Sequence, residues 1–166
     1  MLIKRYDDYG LTRYFTHEDF PGVNKEEFSF IGNHGQKLVG GFYYCDEKRT
    51  DKLIIFEHGL GGGHLAYMTE IVYLAKRGYT VFAYDKTGCM ASEGESILSI
   101  TQAISDCDYA INAVKNLPEY KDAVINLIGH SWGGFAVMNV STVNKNVEKI
   151  VAISGLISVK GLLKSY

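Results

Sequence analysis

The stretch Ile125-Asn126-Leu127-Ile128-Gly129-His130-Ser131-Trp132-Gly133-Gly134-Phe135 decides the fold. Asn126-Leu127-Ile128 is short and mostly apolar, as a central parallel strand covered on both faces requires. An apolar run (Phe135, Ala136, Val137, Met138, Val140) follows at a length suited to a helix. Between them, Gly129, Ser131 and Gly133 fit G-x-S-x-G, a pattern that forces a nucleophile onto a strained strand-to-helix corner. Glycine flanks the serine because a side chain there would clash where the backbone doubles back. The following helix aims its free amides and positive end at negative charge developing beside the serine. In a chain with 18 glycines the bare pattern arises easily by chance, and a glycine-rich turn with an incidental serine is the competing reading. The strand before it and the helix after it decide between them.

Working outward, the same alternation recurs. Phe28-Ser29-Phe30-Ile31, the turn signal Asn33-His34-Gly35 and Lys37 to Tyr44 read as an antiparallel hairpin. Its Gly40-Gly41 pair marks a bulge or a close backbone approach. Lys52 to Glu57 is a strand ending in His58-Gly59-Leu60-Gly61-Gly62-Gly63, and a helix is expected from Tyr67 to Arg77, stopped by Gly78. Thr80 to Tyr84 is a strand closed by Asp85, Lys86 to Ser96 a loop, and Thr101 to Leu117 a helix ended by Pro118. Val147 to Ser154 is a last strand, and Leu156 to Tyr166 is too short to assign. Residues 1–24 form a polar, aromatic lead-in and residues 25–166 one domain. The spacing predicts an α/β fold: a mostly parallel, doubly wound sheet of about six strands with an N-terminal antiparallel hairpin. Site residues then collect at the C-terminal ends of the strands, in the loops His58–Gly63, Asp85–Gly94 and His130–Gly134.

Composition narrows the partners. The 166 residues are 46% hydrophobic and carry a net charge of −2, with no basic segment, so nucleic acid is not an expected partner. No apolar run reaches bilayer length and Met1 to Asp8 lacks the apolar core of a signal peptide, so no membrane association and a cytoplasmic location are expected. Cys45, Cys89 and Cys107 are odd in number and show no C-x-x-C, which supports neither a disulfide framework nor a zinc site. No metal and no cofactor are expected. Asn139-Val140-Ser141 is a formal glycosylation sequon inside a predicted helix and is read as chance.

A serine hydroxyl is a weak nucleophile until a base takes its proton, and the oxyanion it creates needs donors already aimed at it. Ser131 is the candidate nucleophile. The backbone N–H of Trp132 is one candidate oxyanion donor; that of Leu60, or of Gly61, is the other. A phosphate loop fits less well, because no Lys-Ser/Thr follows the glycines and His64 stands where a dinucleotide fingerprint wants glycine.

On these residues the chain resembles the α/β-hydrolase superfamily. His58-Gly59-Leu60-Gly61 is similar to its oxyanion loop, Tyr84-Asp85-Lys86-Thr87-Gly88 to the motif after its fourth strand, and Gly129-His130-Ser131-Trp132-Gly133-Gly134 to its nucleophile elbow. The likeness runs from Phe28 to Ser154 and is nearest to monoacylglycerol lipase and serine aminopeptidase-like members. It implies hydrolysis of a small-molecule acyl substrate, an ester, thioester or amide, by serine, acid and histidine. One departure stands out. The family order is serine, then acid, then histidine, yet His17, His34, His58, His64 and His130 all precede Ser131, and Glu148 is the one acid after it. His130 is expected to point away from its neighbour, Asp85 to brace its own loop, and Glu148 to sit at the far end of the sheet; His58 and His64 remain as unorthodox bases. The resemblance also implies further strands, a cap, the acid and the histidine beyond the sixth strand. These residues are therefore expected to be the N-terminal part of a longer hydrolase. The β-branched edge Ile150–Ile153 would then lie open to a second copy, and the alternative reading is a non-catalytic assembly module associating through it.

Overall fold

A computed structural model describes residues 3–8 and 10–157. Its main sheet has six strands. β2 (Val23–Ile31) and β3 (Lys37–Cys45) form the antiparallel hairpin, followed by β4 (Lys52–Glu57), β5 (Thr80–Tyr84), β7 (Val124–His130) and β8 (Lys149–Ile153). The order across the sheet is β2-β3-β5-β4-β7-β8; β3 runs antiparallel to β5, and β5, β4, β7 and β8 are mutually parallel. A separate two-stranded ribbon pairs β1 (Ile3–Lys4) with β6 (Ser96–Leu98).

Alternation along β4 places one core on each face of the sheet. Leu53 and Ile55 pack under α2 (Gln102–Lys115) and α3 (Trp132–Val140). Ile54 and Phe56 pack under α1 (Met68–Ala75), which presents Met68, Ile71, Val72 and Ala75. Helices on both faces make the sheet doubly wound. The Gly40 reading resolves as close approach: a Cβ there would collide with the Ala83 carbonyl of β5. Pairing across β2 and β3 is unbroken from Val23↔Cys45 to Ile31↔Lys37, so no bulge is present at the glycine pair.

Several elements differ from the sequence reading at their ends. β2 starts at Val23, because Val23 is buried and pairs with Cys45. Residues 64–67 wind as a 3₁₀ turn, so α1 begins at Met68 rather than Tyr67. Pro118, which ends α2 as expected, opens a further 3₁₀ turn to Tyr120. The part of the lead-in nearest the N-terminus is stitched to the loop after β5: Tyr6 N–H donates to the Gly88 carbonyl, and the Arg5 guanidinium donates to the carbonyls of Ser92, Gly94 and Met90. The unassigned tail from Ser158 to Tyr166 lies outside the described residues.

β8 is exposed along its whole length, with Val151 50% and Ile153 45% accessible. On the α1 side, Leu74, Ile128, Val151 and Ile153 line shallow open grooves. No helix among the described residues is long and apolar enough to cross a membrane. Among the described residues no cluster of His, Cys, Asp and Glu has the makings of a metal site, and the three cysteines are free.

Candidate active site

Ser131 stands between the end of β7 and the first turn of α3, with φ 53° and ψ −112°. Positive φ in a residue with a Cβ is strained, and such strain persists only where the surroundings over-determine it. Here they do. A Cβ at Gly129 would strike the Gly133 carbonyl, and one at Gly133 would strike the Glu57 and His58 carbonyls. The corner is therefore packed backbone against backbone, and the end of β4 is driven against it. The Ser131 N–H donates to the Ile153 carbonyl (2.8 Å), tying the corner to β8. The serine hydroxyl has no hydrogen-bond partner among the described residues.

The two candidate donors flank this corner. Trp132 occupies the first position of α3, where an amide has no intrahelical partner. Its indole is buried, with Nε1–H donating to the Ile100 carbonyl (2.8 Å). Leu60 lies on the loop after β4, 50% exposed, and its N–H has no partner among the described residues. The adjacent pairing of β4 with β7, in register at Glu57↔Gly129, brings the two loops together. Tyr67 closes the join: its hydroxyl accepts the Gly59 N–H (3.1 Å) and hydrogen-bonds His130 Nδ1 (2.8 Å).

The histidines are otherwise engaged. His58 is fully buried; Nδ1 lies 2.7 Å from the Gly59 carbonyl and Nε2 accepts the Lys86 N–H at 2.9 Å. Burial, then the neighbouring Lys86 charge, push its pKa down to about 3. His64 donates from Nδ1 to Asp85 Oδ1 (2.7 Å), and its Nε2 bonds the Tyr43 hydroxyl (2.9 Å). With both ring nitrogens of each committed, neither His58 nor His64 is free to take a proton from Ser131. His130 turns aside to Tyr67, as its position beside the serine implied. His17 lies beside the Tyr43 ring and His34 in the hairpin turn.

Asp85 does brace its loop, accepting the Ala91 N–H, and it also holds the His64 amide and ring. Burial works to raise its pKa; the His64 ring and its hydrogen bonds, with His58, outweigh that and leave it below the usual carboxylate value. Glu148 precedes β8 and donates its N–H to the Ile125 carbonyl, at the end of the sheet away from the serine. Beneath the site lies a pair no motif announced: Lys86 and Glu57, both wholly buried, 2.8 Å apart. Lys86 Nζ also donates to the His58 carbonyl (2.8 Å), and the Tyr84 hydroxyl donates to Glu57 (2.8 Å).

A strained serine thus stands on a strand-to-helix corner, next to a glycine-rich loop with a free amide. The family model for serine aminopeptidase, S33, matches residues 48–165. The chain belongs to the serine aminopeptidase S33 family of α/β hydrolases. Among solved structures, this chain superposes on the Pyrococcus furiosus esterase Pf2001 with a TM-score of 0.79 at 22% identity, over 93% of this chain and 56% of that one. The α/β hydrolase GrgF from Penicillium sp. sh18 aligns with a TM-score of 0.70 at 22% identity, over 80% of this chain and 46% of that one. These likenesses establish the fold. The uncharacterized protein YfhR of Escherichia coli (strain K12) is 28% identical over 118 residues, 69% of this chain and 41% of YfhR. The chain thus spans about two-fifths of the curated relatives it matches and somewhat over half of the P. furiosus esterase.

Proposed function

We propose that this chain carries the nucleophile and oxyanion half of a serine hydrolase that cleaves carboxylic ester, thioester or amide bonds through an acyl-serine intermediate. The strained conformation of Ser131, held at the corner by backbone packing, is the observation that carries the reading. In the proposed reaction Ser131 Oγ attacks the acyl carbon as its proton passes to the base, the carbonyl oxygen becomes an oxyanion, and the Leu60 and Trp132 amides donate hydrogen bonds to it. The carbonyl re-forms as the leaving group departs with the proton held by the base, and water then adds to the acyl-serine, its proton going through the base to Ser131 Oγ as the free acid is released. Esterases among the structural neighbours favour an ester substrate. The base and its acid come from outside the described residues, since His58, His64 and His130 are all committed elsewhere.

The test is p-nitrophenyl acetate. Without a base in reach, an oxyanion hole retains part of the catalysis, on the order of 10³-fold over water in triad knockouts of other serine hydrolases. Slow release of one equivalent of p-nitrophenol is expected, then a stall at the acetyl-serine. Release that persists unchanged in Ser131→Ala would refute the assignment.

A second reading has its own observation. β8 is an exposed parallel edge bearing Val151 and Ile153 and pairs, among the described residues, with β7 alone. Such an edge is a template for another chain, and the reading is a homo-oligomer associating there. Light scattering tests it: a discrete dimer dissolved by Val151→Lys supports it, and a monomer at all concentrations removes it.

A further inference from the structure

We propose that His58 is a positioning residue: its ring holds the Gly59 carbonyl on the buried side of the peptide, and so turns the Leu60 amide outward to the reacting carbonyl. This rests on the reading of Leu60 and Ser131 given above and deepens it. The Gly59–Leu60 peptide is one rigid trans unit, in which C=O and N–H point in opposite directions. Gly59 has no side chain to restrain that unit, so something outside it must. The Gly59 carbonyl lies 2.7 Å from His58 Nδ1.

Which nitrogen carries the proton follows from the partners. The Lys86 backbone amide can only donate, and it donates to Nε2 at 2.9 Å. Nε2 therefore offers its lone pair, and the proton sits on Nδ1, facing a carbonyl that can only accept. The two bonds select the same tautomer. Lys86 reinforces them through its ammonium group, which binds the His58 carbonyl and Glu57. At the other end of Gly59, its N–H is already taken by Tyr67. Both bonding groups of Gly59 are thus tied inward, and the Leu60 N–H, on the same peptide as the restrained carbonyl, has no partner among the described residues. The sequence names Leu60 as the second donor, with Gly61 as its substitute. His58 favours Leu60, whose amide shares a plane with the restrained carbonyl.

Two measurements test this. Long-range ¹H–¹⁵N spectra of the unaltered protein at pH 7 should show the His58 proton on Nδ1, the less common tautomer; a proton on Nε2 overturns the proposal. The second measurement is the Ser131-dependent release of p-nitrophenol from p-nitrophenyl acetate. His58→Leu should slow it about 100-fold, the scale of one lost oxyanion donor, with half-saturation changed by less than about threefold. His58→Asn keeps an amide donor near the Nδ1 position and should recover at least about tenfold of the loss. A folded Leu variant reacting as fast as wild type, or an Asn variant no faster than Leu, overturns the proposal. If the Leu variant does not fold, the tautomer and the Asn variant decide. Wild-type release that survives Ser131→Ala would instead sink the nucleophile reading, so the two failures are distinguishable.

Discussion

Replacing Tyr67 with phenylalanine removes one oxygen atom and the link between the two halves of the site. That oxygen accepts the Gly59 N–H at 3.1 Å and bonds His130 Nδ1 at 2.8 Å. The partners pay unequally. Gly59 is buried, so its amide is left without water or protein and costs about 1–3 kcal/mol. His130 is half-buried and rebonds to solvent, so its loss is on the order of 0.5 kcal/mol. The total is about 1.5–3.5 kcal/mol, read as a lower urea midpoint at unchanged slope. The same substitution frees the Gly59 end of the oxyanion loop, so Ser131-dependent p-nitrophenol release should slow about tenfold or more, each 1.4 kcal/mol of lost transition-state contact being tenfold. A variant within about 0.5 kcal/mol of wild type and reacting at the same rate would refute the idea that Tyr67 joins the loop to the corner.

Further predictions concern strain, charge and pH. Ser131→Gly should abolish acylation and raise stability by about 1 kcal/mol or more, because glycine adopts φ 53° without the cost a Cβ imposes; unchanged or lower stability in urea melts would show the corner to be unstrained. Lys86→Met should cost about 3–5 kcal/mol by stranding Glu57 in the core, and adding Glu57→Gln should return much of it, measured as a double-mutant cycle. His58 titrates near 6.5 when unfolded but at about 3 when folded, so the unfolded chain binds the extra proton between those values. Stability from His58 is full above pH 6.5 and lost as pH falls toward 3, at up to about 1.4 kcal/mol per pH unit. Urea midpoints at pH 7.5, 5.5 and 4.5 should fall in that order, and the His58→Asn variant should lose most of the slope.

The sequence makes the fold legible wherever the chemistry is local. The apolar runs at Ile54-Ile55-Phe56 and Val81-Phe82-Ala83 have no face to spare for water, and they are the buried centre of the sheet. The corner at Ser131 is legible for the same reason, since Gly129 and Gly133 leave room for nothing but backbone. What joins the site is not local. Tyr67 reads as the first residue of a helix, and nothing in the sequence says that its hydroxyl spans two loops. Lys86 follows Asp85 at a strand end, where lysine is normally solvated, and only the fold brings Glu57 to bury it. His64 and Asp85, 21 residues apart, carry no spacing signal, yet they share a short hydrogen bond. The N-terminal lead-in has no period, because Arg5 acts through three carbonyls of one distant loop rather than through an apolar face.

Ser131 is proposed as a nucleophile whose base lies outside the described residues. Mass spectrometry of the protein after p-nitrophenyl acetate tests it most directly. An acetyl group is expected on the peptide containing Ser131, formed once and retained, with no continuing release of p-nitrophenol. Continuous turnover abolished by Ser131→Ala would contradict it by revealing a base within this chain, and acetylation confined to lysines would contradict the nucleophile itself.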